Sequence, residues 1–144
     1  MKKVLITLVM LVGIAIAGKA QETVTVNPNP DPNAAEIAFD TEVIDFGTVE
    51  YGADITKEFR FRNTGKSVLI LDNVKPGCGC TTPTWSKDPV KPGGSGIIKV
   101  KYDTKRVGSF EKTITVTSNA KTASKVIRIK GVVKPNPNPA PQDK

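Results

Sequence analysis

Histidine is missing from all 144 residues, and cysteine occurs only twice, at Cys78 and Cys80. The absence of histidine removes the commonest general base of enzymes and the commonest metal ligand of proteins. A structural zinc site needs four ligands, which two cysteines alone do not supply. The sequence contains no recognisable pair of catalytic carboxylates and no nucleophile–base–acid triad. We therefore expect a protein that is not an enzyme and that holds no cofactor.

Long hydrophobic runs are also missing, apart from one at the N-terminus, where two lysines precede an uncharged stretch over residues 4–18. Gly18 and Ala20 then stand three residues and one residue before a cleavage point at Gln21, the pattern of a secretory signal peptide. An uncleaved membrane anchor is the alternative, but the run is shorter than the about 20 residues that a span requires. We predict that residues 1–20 are removed, that no stable membrane span remains, and that the protein is periplasmic or extracellular.

Positive charge exceeds negative charge only moderately, with a formal net charge of +7. Removal of the signal peptide takes away three lysines and lowers this value to +4. An excess of this size says little about fold, although it favours contact with anionic glycans or lipid headgroups. The expected partner is a protein or a glycan of the cell envelope, and nucleic acid is not expected.

Proline is concentrated in two segments, "NPNPDPN" before the middle of the chain and "KPNPNPAPQDK" after it. Alternating prolines block both helix formation and strand pairing, so these segments are predicted to be extended spacers. We therefore divide the chain into a signal peptide over residues 1–20, a linker rich in Pro and Asn over residues 21–35, one domain over residues 36–133, and a disordered tail over residues 134–144.

Short stretches of alternating apolar and polar residues dominate this domain, and no convincing amphipathic helix occurs in it. Such alternation is typical of half-buried strands. The predicted inward-facing residues are Ile55, Phe59 and Phe61, then Ile98, Val100 and Tyr102, then Phe110, Ile114 and Val116, and finally Ile127, Ile129 and Val133. The stretch around residues 68–71 is apolar on both faces, which predicts a central strand. About seven strands in a domain of this size indicate one immunoglobulin-like antiparallel β-sandwich in the all-β class.

The stretch "PGCGCTTPTW" holds both cysteines, and four states of this pair are open. Export to an oxidising compartment favours a disulfide between Cys78 and Cys80, with Gly79 allowing the backbone to bend. A bridge over so few residues adds little stability, so the same pair is also a candidate for redox exchange. Reduced thiolates would suit Cu(I), and free thiols are the fourth state. Lys75 and Lys87 are near enough in sequence to favour a thiolate.

Trp85 and the basic residues of the strands are the remaining candidates for binding. A lone tryptophan in a small β-domain is usually a packing anchor, and a platform for stacking a sugar is the alternative. The basic residues that alternate outward are Arg60, Arg62, Lys99, Lys101, Arg128 and Lys130. They are expected to form a solvated face, and anion binding is the alternative.

A series of motifs in one order resembles the bacterial secreted family called domain of unknown function 1573. The matching residues are Phe46-Gly47, Val49, Gly52, Phe59, Phe61, Asn63-Thr64-Gly65, Cys78-Gly79-Cys80-Thr81, Pro83, Trp85, Pro92-Gly93, Gly96, Ile98, Val100, Tyr102, Gly108, Phe110, Ile114, Val116 and Ser118-Asn119. The resemblance implies an immunoglobulin-like sandwich similar to Hydin-like and major-sperm-protein-like domains, in a family common in Bacteroidetes-type bacteria. It implies no settled activity, but it places Cys78 and Cys80 in a family motif.

Three functions remain as hypotheses from the sequence. The first is an exported, non-enzymatic binding or scaffold module of the cell envelope, for which strand addition at a sheet edge is one mode of binding. The second is a thiol–disulfide redox protein or Cu(I)-handling protein that uses Cys78 and Cys80. The third is a protein that binds anionic glycan or lipid through its basic face.

Overall fold

A computed structural model describes residues 31–139, which form an all-β sandwich of eight strands. The strands are β1 (Ile37–Phe39), β2 (Val43–Val49), β3 (Thr56–Asn63), β4 (Leu71–Pro76), β5 (Thr81–Trp85), β6 (Ser95–Tyr102), β7 (Gly108–Ser118) and β8 (Ser124–Val133). The sandwich fold is therefore confirmed. The predicted signal peptide, residues 21–30 of the linker and residues 140–144 of the tail lie outside the described residues.

The strand count exceeds the expected seven partly because the chain changes sheets early. β1 belongs to the first sheet, whose order is β1-β3-β6-β5, whereas β2 belongs to the second sheet, whose order is β2-β8-β7-β4. The stretch that the sequence suggested as one bent strand is thus two strands. β5 was not predicted as a strand at all, because Pro83 at its centre removes a backbone donor.

One strand pair corrects the expectation of a purely antiparallel sandwich. β2 pairs with β8 in parallel, while every other ladder between the named strands is antiparallel. The chain keeps its direction as it crosses from β1 to β2, and this direction is also that of β8. The second sheet is therefore mixed, although its other two ladders follow the usual antiparallel pattern.

The core lies between the two sheets and consists of the side chains that the alternation placed inward. Eleven of the twelve predicted inward-facing residues are buried, and Ile55 is half-buried against the core, which confirms the faces of β3, β6, β7 and β8. Three aromatic rings contact one another within this core. Tyr102 stacks on Phe110 with ring centroids 3.8 Å apart, and Phe46 meets Phe110 edge-on at 5.8 Å.

The prediction of a central strand around residues 68–71 is wrong. Val68 and Ile70 are exposed, and β4, which begins at Leu71, is an edge strand of the second sheet. The Asn119 side chain explains where the ladder stops. Its amide nitrogen donates to the Val68 carbonyl, and its oxygen accepts from the Ile70 N–H, so a side chain replaces a partner strand.

Four segments meet at one end of the sandwich, which we call the cysteine end. They are the β2–β3 loop (residues 50–55), the β4–β5 corner (residues 77–80), the β6–β7 loop (residues 103–107) and the chain leaving β8 at Lys134. The residues that lead into β1 lie at the opposite end, where Lys121 N–H donates to the Ala35 carbonyl. The residues that lead into β1 and the residue that follows β8, Lys134, are therefore at opposite ends of the domain.

Candidate functional site

The feature with the most distinctive chemistry is the corner where the chain passes from β4 of the second sheet to β5 of the first. Cys78 and Cys80 occupy this corner and are joined by a disulfide. Their Cα atoms are 5.3 Å apart, a normal separation for bonded cysteines. The bonded pair is thus the state found in the structure, and Cu(I) binding would require its reduction because the metal takes thiolates.

Backbone hydrogen bonds hold both sides of this corner independently of the disulfide. The Gly77 N–H donates to the Thr113 carbonyl of β7 at 2.9 Å. On the other side, the Asp103 N–H donates to the Cys80 carbonyl at 2.9 Å. A ring closed over three residues constrains the unfolded chain by only about 1.6 kcal/mol, against about 3 kcal/mol for a 15-residue loop. The disulfide is therefore a minor contributor to global stability.

The two sulfurs differ in exposure. Cys80 is 4% exposed and belongs to the hydrophobic core, whereas Cys78 is half-buried and packs against the edge of that core. The hydroxyl oxygen of Thr81, itself buried, lies 3.8 Å from each sulfur. Thr81 is thus the polar side chain that contacts both sulfur atoms, and a hydroxyl donates a hydrogen bond to a thiolate.

Gly79, between the cysteines, is exposed and has ordinary backbone geometry. Its φ angle is outside the positive region, and a Cβ built on it would have no atom within 4 Å beyond its two chain neighbours. Glycine allows this bend but is not required for it, because other residues can adopt the same conformation. This exposed position of the corner thus carries no side chain.

The sequence motif that joins the cysteines to Trp85 does not form one site. Trp85 is at the far end of β5, about 13 Å along the strand from Thr81. It pairs with Ile98 of β6, is half-buried, and packs against the core. Its indole nitrogen is buried without a hydrogen-bond partner among the described residues. The arrangement is that of a packing anchor.

The two lysines close to the cysteines in sequence are directed elsewhere. Lys75 is exposed and pairs with Thr115 of β7. Pro76 separates it from the corner, and it is on the opposite face of β4 from the buried Val74. Lys87 is exposed in the loop that follows Trp85, at the other end of β5. Asp103, which no pattern in the sequence singles out, contacts Cys80 through its backbone because the β6–β7 loop passes beside the corner.

The basic residues are divided between the outer faces of both sheets. Arg60, Arg62, Lys99 and Lys101 are on the first sheet, and Arg128 and Lys130 are on the second. Four of the six are paired with carboxylates: Glu58 is 3.6 Å from Arg60 and 3.9 Å from Lys99, Asp54 is 2.9 Å from Lys101, and Asp45 is 3.6 Å from Lys130. The six do not form one anion-binding surface.

The edges of both sheets are protected against pairing with another chain. In β4 the Gly77 N–H faces β7, so the nitrogen of Pro76 faces outward. At the start of β5 the Cys80 carbonyl faces β6. The backbone groups of successive strand residues point in alternate directions, so the nitrogen of Pro83, three residues later, faces outward as well. β1 has only three residues, and the β2 ladder is interrupted between Asp45 and Thr48. Short strands, bulges and edge prolines all oppose strand addition.

Within residues 31–139, no group of three or more Cys, Asp and Glu side chains is arranged to hold a metal ion. Over the same residues, no helix has the length and apolar character needed to cross a membrane.

A family model described as "Protein of unknown function (DUF1573)" matches residues 37–133. The chain belongs to the DUF1573 family. The family resemblance proposed from the sequence is therefore confirmed. No curated protein matches this DUF1573 chain.

Solved structures similar to this DUF1573 protein share its fold at low sequence identity. A protein of unknown function from Porphyromonas gingivalis W83 is 20% identical with a TM-score of 0.63, and the alignment covers 70% of this chain and 48% of that one. The chain thus spans about half the length of that protein. The ASH/PapD-like domain 7 of human CEP192 is 11% identical with a TM-score of 0.59, over 83% of this chain and 100% of that domain. These similarities show the fold alone.

Proposed function

We propose that this protein is an exported, non-enzymatic binding module of the bacterial cell envelope, and that its recognition surface is the cysteine end. The observation that carries the proposal is the meeting of two loops and the chain leaving β8 around a corner that hydrogen bonds hold in place. The Gly52 N–H donates to the Thr104 carbonyl at 3.2 Å, and the Thr104 hydroxyl donates to the Ala53 carbonyl at 2.6 Å. Loops that are fixed before binding lose little conformational entropy on contact with a partner.

The chemistry of this surface suits a protein or glycan of the envelope. Val107, in the β6–β7 loop, is 53% exposed, and its chain neighbour Arg106 forms an ion pair with Asp103. An exposed apolar residue next to charged groups suits a protein interface, in which an apolar centre has a polar rim. Export is supported by the predicted signal peptide, and cell fractionation with an antibody against the domain tests it.

Binding through loops has more support than the alternatives drawn from the sequence. Strand addition has little support because prolines, a bulge and short length protect the edges. Anion binding through the sheet faces has little support because carboxylates pair with most of the basic residues.

The proposal is tested by capture of partners from an envelope extract on the immobilised mature protein. Val107→Asp changes the cysteine end, and Val126→Asp is the matched control, because Val126 is 46% exposed on the outer face of β8. We expect the wild type and Val126→Asp to retain the same partner and Val107→Asp to lose it. Equal capture by both variants, or no specific capture by the wild type, would overturn the proposal.

A further inference from the structure

We propose that Cys78–Cys80 is a site of thiol–disulfide exchange at which an outside thiolate attacks the Cys78 sulfur and displaces Cys80. The co-reactant class is an accessible dithiol, either a protein dithiol or a pair of small thiols. This inference goes beyond the proposed binding function and does not depend on it.

The difference in burial decides which sulfur is attacked. A thiolate approaches a disulfide along the S–S axis, from the side of the sulfur to which it bonds. Cys80 is only 4% exposed and is surrounded by core residues, so this approach to its sulfur is blocked. Cys78 is half-buried at the corner, so the approach to its sulfur is the less obstructed of the two.

Gly79, between the two cysteines, is exposed. The native backbone at this position does not require glycine, and a Cβ built on it would meet no atom within 4 Å beyond its two chain neighbours. A glycine at this position adds no side chain that could cover the adjacent sulfurs.

The corner is also anchored so that the bond can open without loss of the fold. Gly77 is held to β7 and Cys80 to the Asp103 backbone by hydrogen bonds that do not involve sulfur. Reduction thus frees the Cys78 sulfur while the ladders on both sides remain.

The exchange is balanced in atoms and electrons. The incoming thiolate bonds to Cys78 Sγ as the Cys78–Cys80 bond breaks, and the electron pair of that bond leaves on Cys80 Sγ. The second thiol of the donor, as thiolate, then attacks the donor sulfur of the mixed disulfide and releases Cys78 as a thiolate. Both cysteine thiolates take protons from water. The donor dithiol is oxidised to a disulfide, and the cysteine pair is reduced by two electrons.

Thr81 is the positioning residue for the leaving sulfur. Its hydroxyl is 3.8 Å from the Cys80 sulfur in the oxidised protein and donates to that sulfur when it becomes a thiolate. Thr81→Val keeps the shape and removes this donor. We expect it to slow the attack of glutathione on the pair, because the leaving Cys80 sulfur then bears its charge without this donor, a readout that a purely structural role would not change.

The direction of attack is tested with single-cysteine variants of the mature protein and iodoacetamide. Cys80→Ser leaves the accessible Cys78 thiol, and Cys78→Ser leaves the buried Cys80 thiol. We expect Cys80→Ser to be alkylated at least about tenfold faster in the native state, because access limits the buried thiol. In urea the two rates should converge, which separates burial from intrinsic reactivity and also reports whether either variant is already unfolded.

The exchange itself is tested on the wild type with reduced glutathione and, in a second arm, with a reduced unfolded protein. After acid quenching, peptide mass spectrometry should place the mixed disulfide on Cys78. A mixed disulfide on Cys80, or a native pair that neither thiol reduces while urea-unfolded protein is reduced, would overturn the proposal. Reaction with glutathione alone would limit the co-reactant to small thiols, and reaction with both would admit proteins.

The access route is tested with Gly79→Val, which places a branched side chain between the two cysteines. We expect the rate of glutathione attack to fall at least about fivefold, with the melting temperature of the oxidised protein changed little. Thr84→Val is the matched control, because it adds no bulk at an exposed position of β5. An unchanged rate in a folded Gly79→Val protein would contradict the access route.

Discussion

The side chain of Asn63 connects three separate backbone segments of this fold. Asn63 ends β3, is completely buried, and its side chain satisfies four backbone groups. Its amide nitrogen donates to the carbonyls of Ser67 and Val90, and its oxygen accepts from the N–H groups of Glu36 and Gly65. One amide thus connects the chain before β1 with the turn after β3 and the loop before β6.

Asn63→Ala is expected to lower the free energy of unfolding by about 2–4 kcal/mol, because it leaves several partly buried backbone groups without their partner. Chemical denaturation monitored by circular dichroism measures this change. Asn73→Ala is the control, since Asn73 is exposed on the edge strand β4, and it should change stability little. Equal effects of the two substitutions would show that the Asn63 network is not a main determinant of stability.

At the scale of the strand, the free edges are the feature with the clearest consequence. β4 and β5 are consecutive in sequence and form the free edges of two different sheets. Each contains one proline at a position where the missing donor faces outward. The protection is therefore located where a partner strand would otherwise bind.

Pro83→Thr is expected to promote self-association, because it restores an outward N–H between those of Thr81 and Trp85 and completes a row of donors on β5. Sedimentation velocity at increasing concentration measures the effect. Pro89→Thr, in the loop after β5, is the same substitution away from an edge ladder. Only Pro83→Thr should shift the distribution to larger species relative to the wild type, and identical distributions would contradict the edge argument.

At the scale of the whole molecule, the buried aromatic cluster couples stability to high pH. Burial raises the pKa of Tyr102 above its ordinary value near 10, and Asp103 adds to this effect while Arg106 opposes it. The unfolded tyrosine therefore loses its proton at a lower pH than the folded one. Its contribution to stability is complete below about pH 10 and is lost as the pH rises above that value.

Tyr102→Phe is expected to weaken the loss of stability between about pH 10 and pH 12, because phenylalanine has no proton to lose and keeps the stack on Phe110. Urea denaturation at a series of pH values measures the slope. Tyr51→Phe, in the turn after β2, is the control for tyrosine removal. A slope that is the same in Tyr102→Phe and the wild type would exclude Tyr102 as its source.

The sequence by itself determined the class of fold and the composition of the core. Phe59, Phe61, Ile98 and Val100 were assigned to the inner face correctly, because side chains of a strand alternate with a period of two, and this period is visible locally. The lack of histidine likewise made the cysteine pair the main candidate for a chemically active site, and this conclusion needed no structure. The disulfide remained one of several open states.

Only the tertiary structure decided which strands meet and which groups are accessible. The alternation of a strand does not specify its neighbours, so it did not show that residues 68–71 lead into an edge strand or that β2 runs parallel to β8. The same long-range pairing decides three further features: the salt bridges between strands, the separation of Trp85 from the cysteines, and the unequal burial of the two cysteines. For this reason the sequence identified Cys78 and Cys80 as a candidate site, whereas the structure distinguished the sulfur that faces solvent from the one that faces the core.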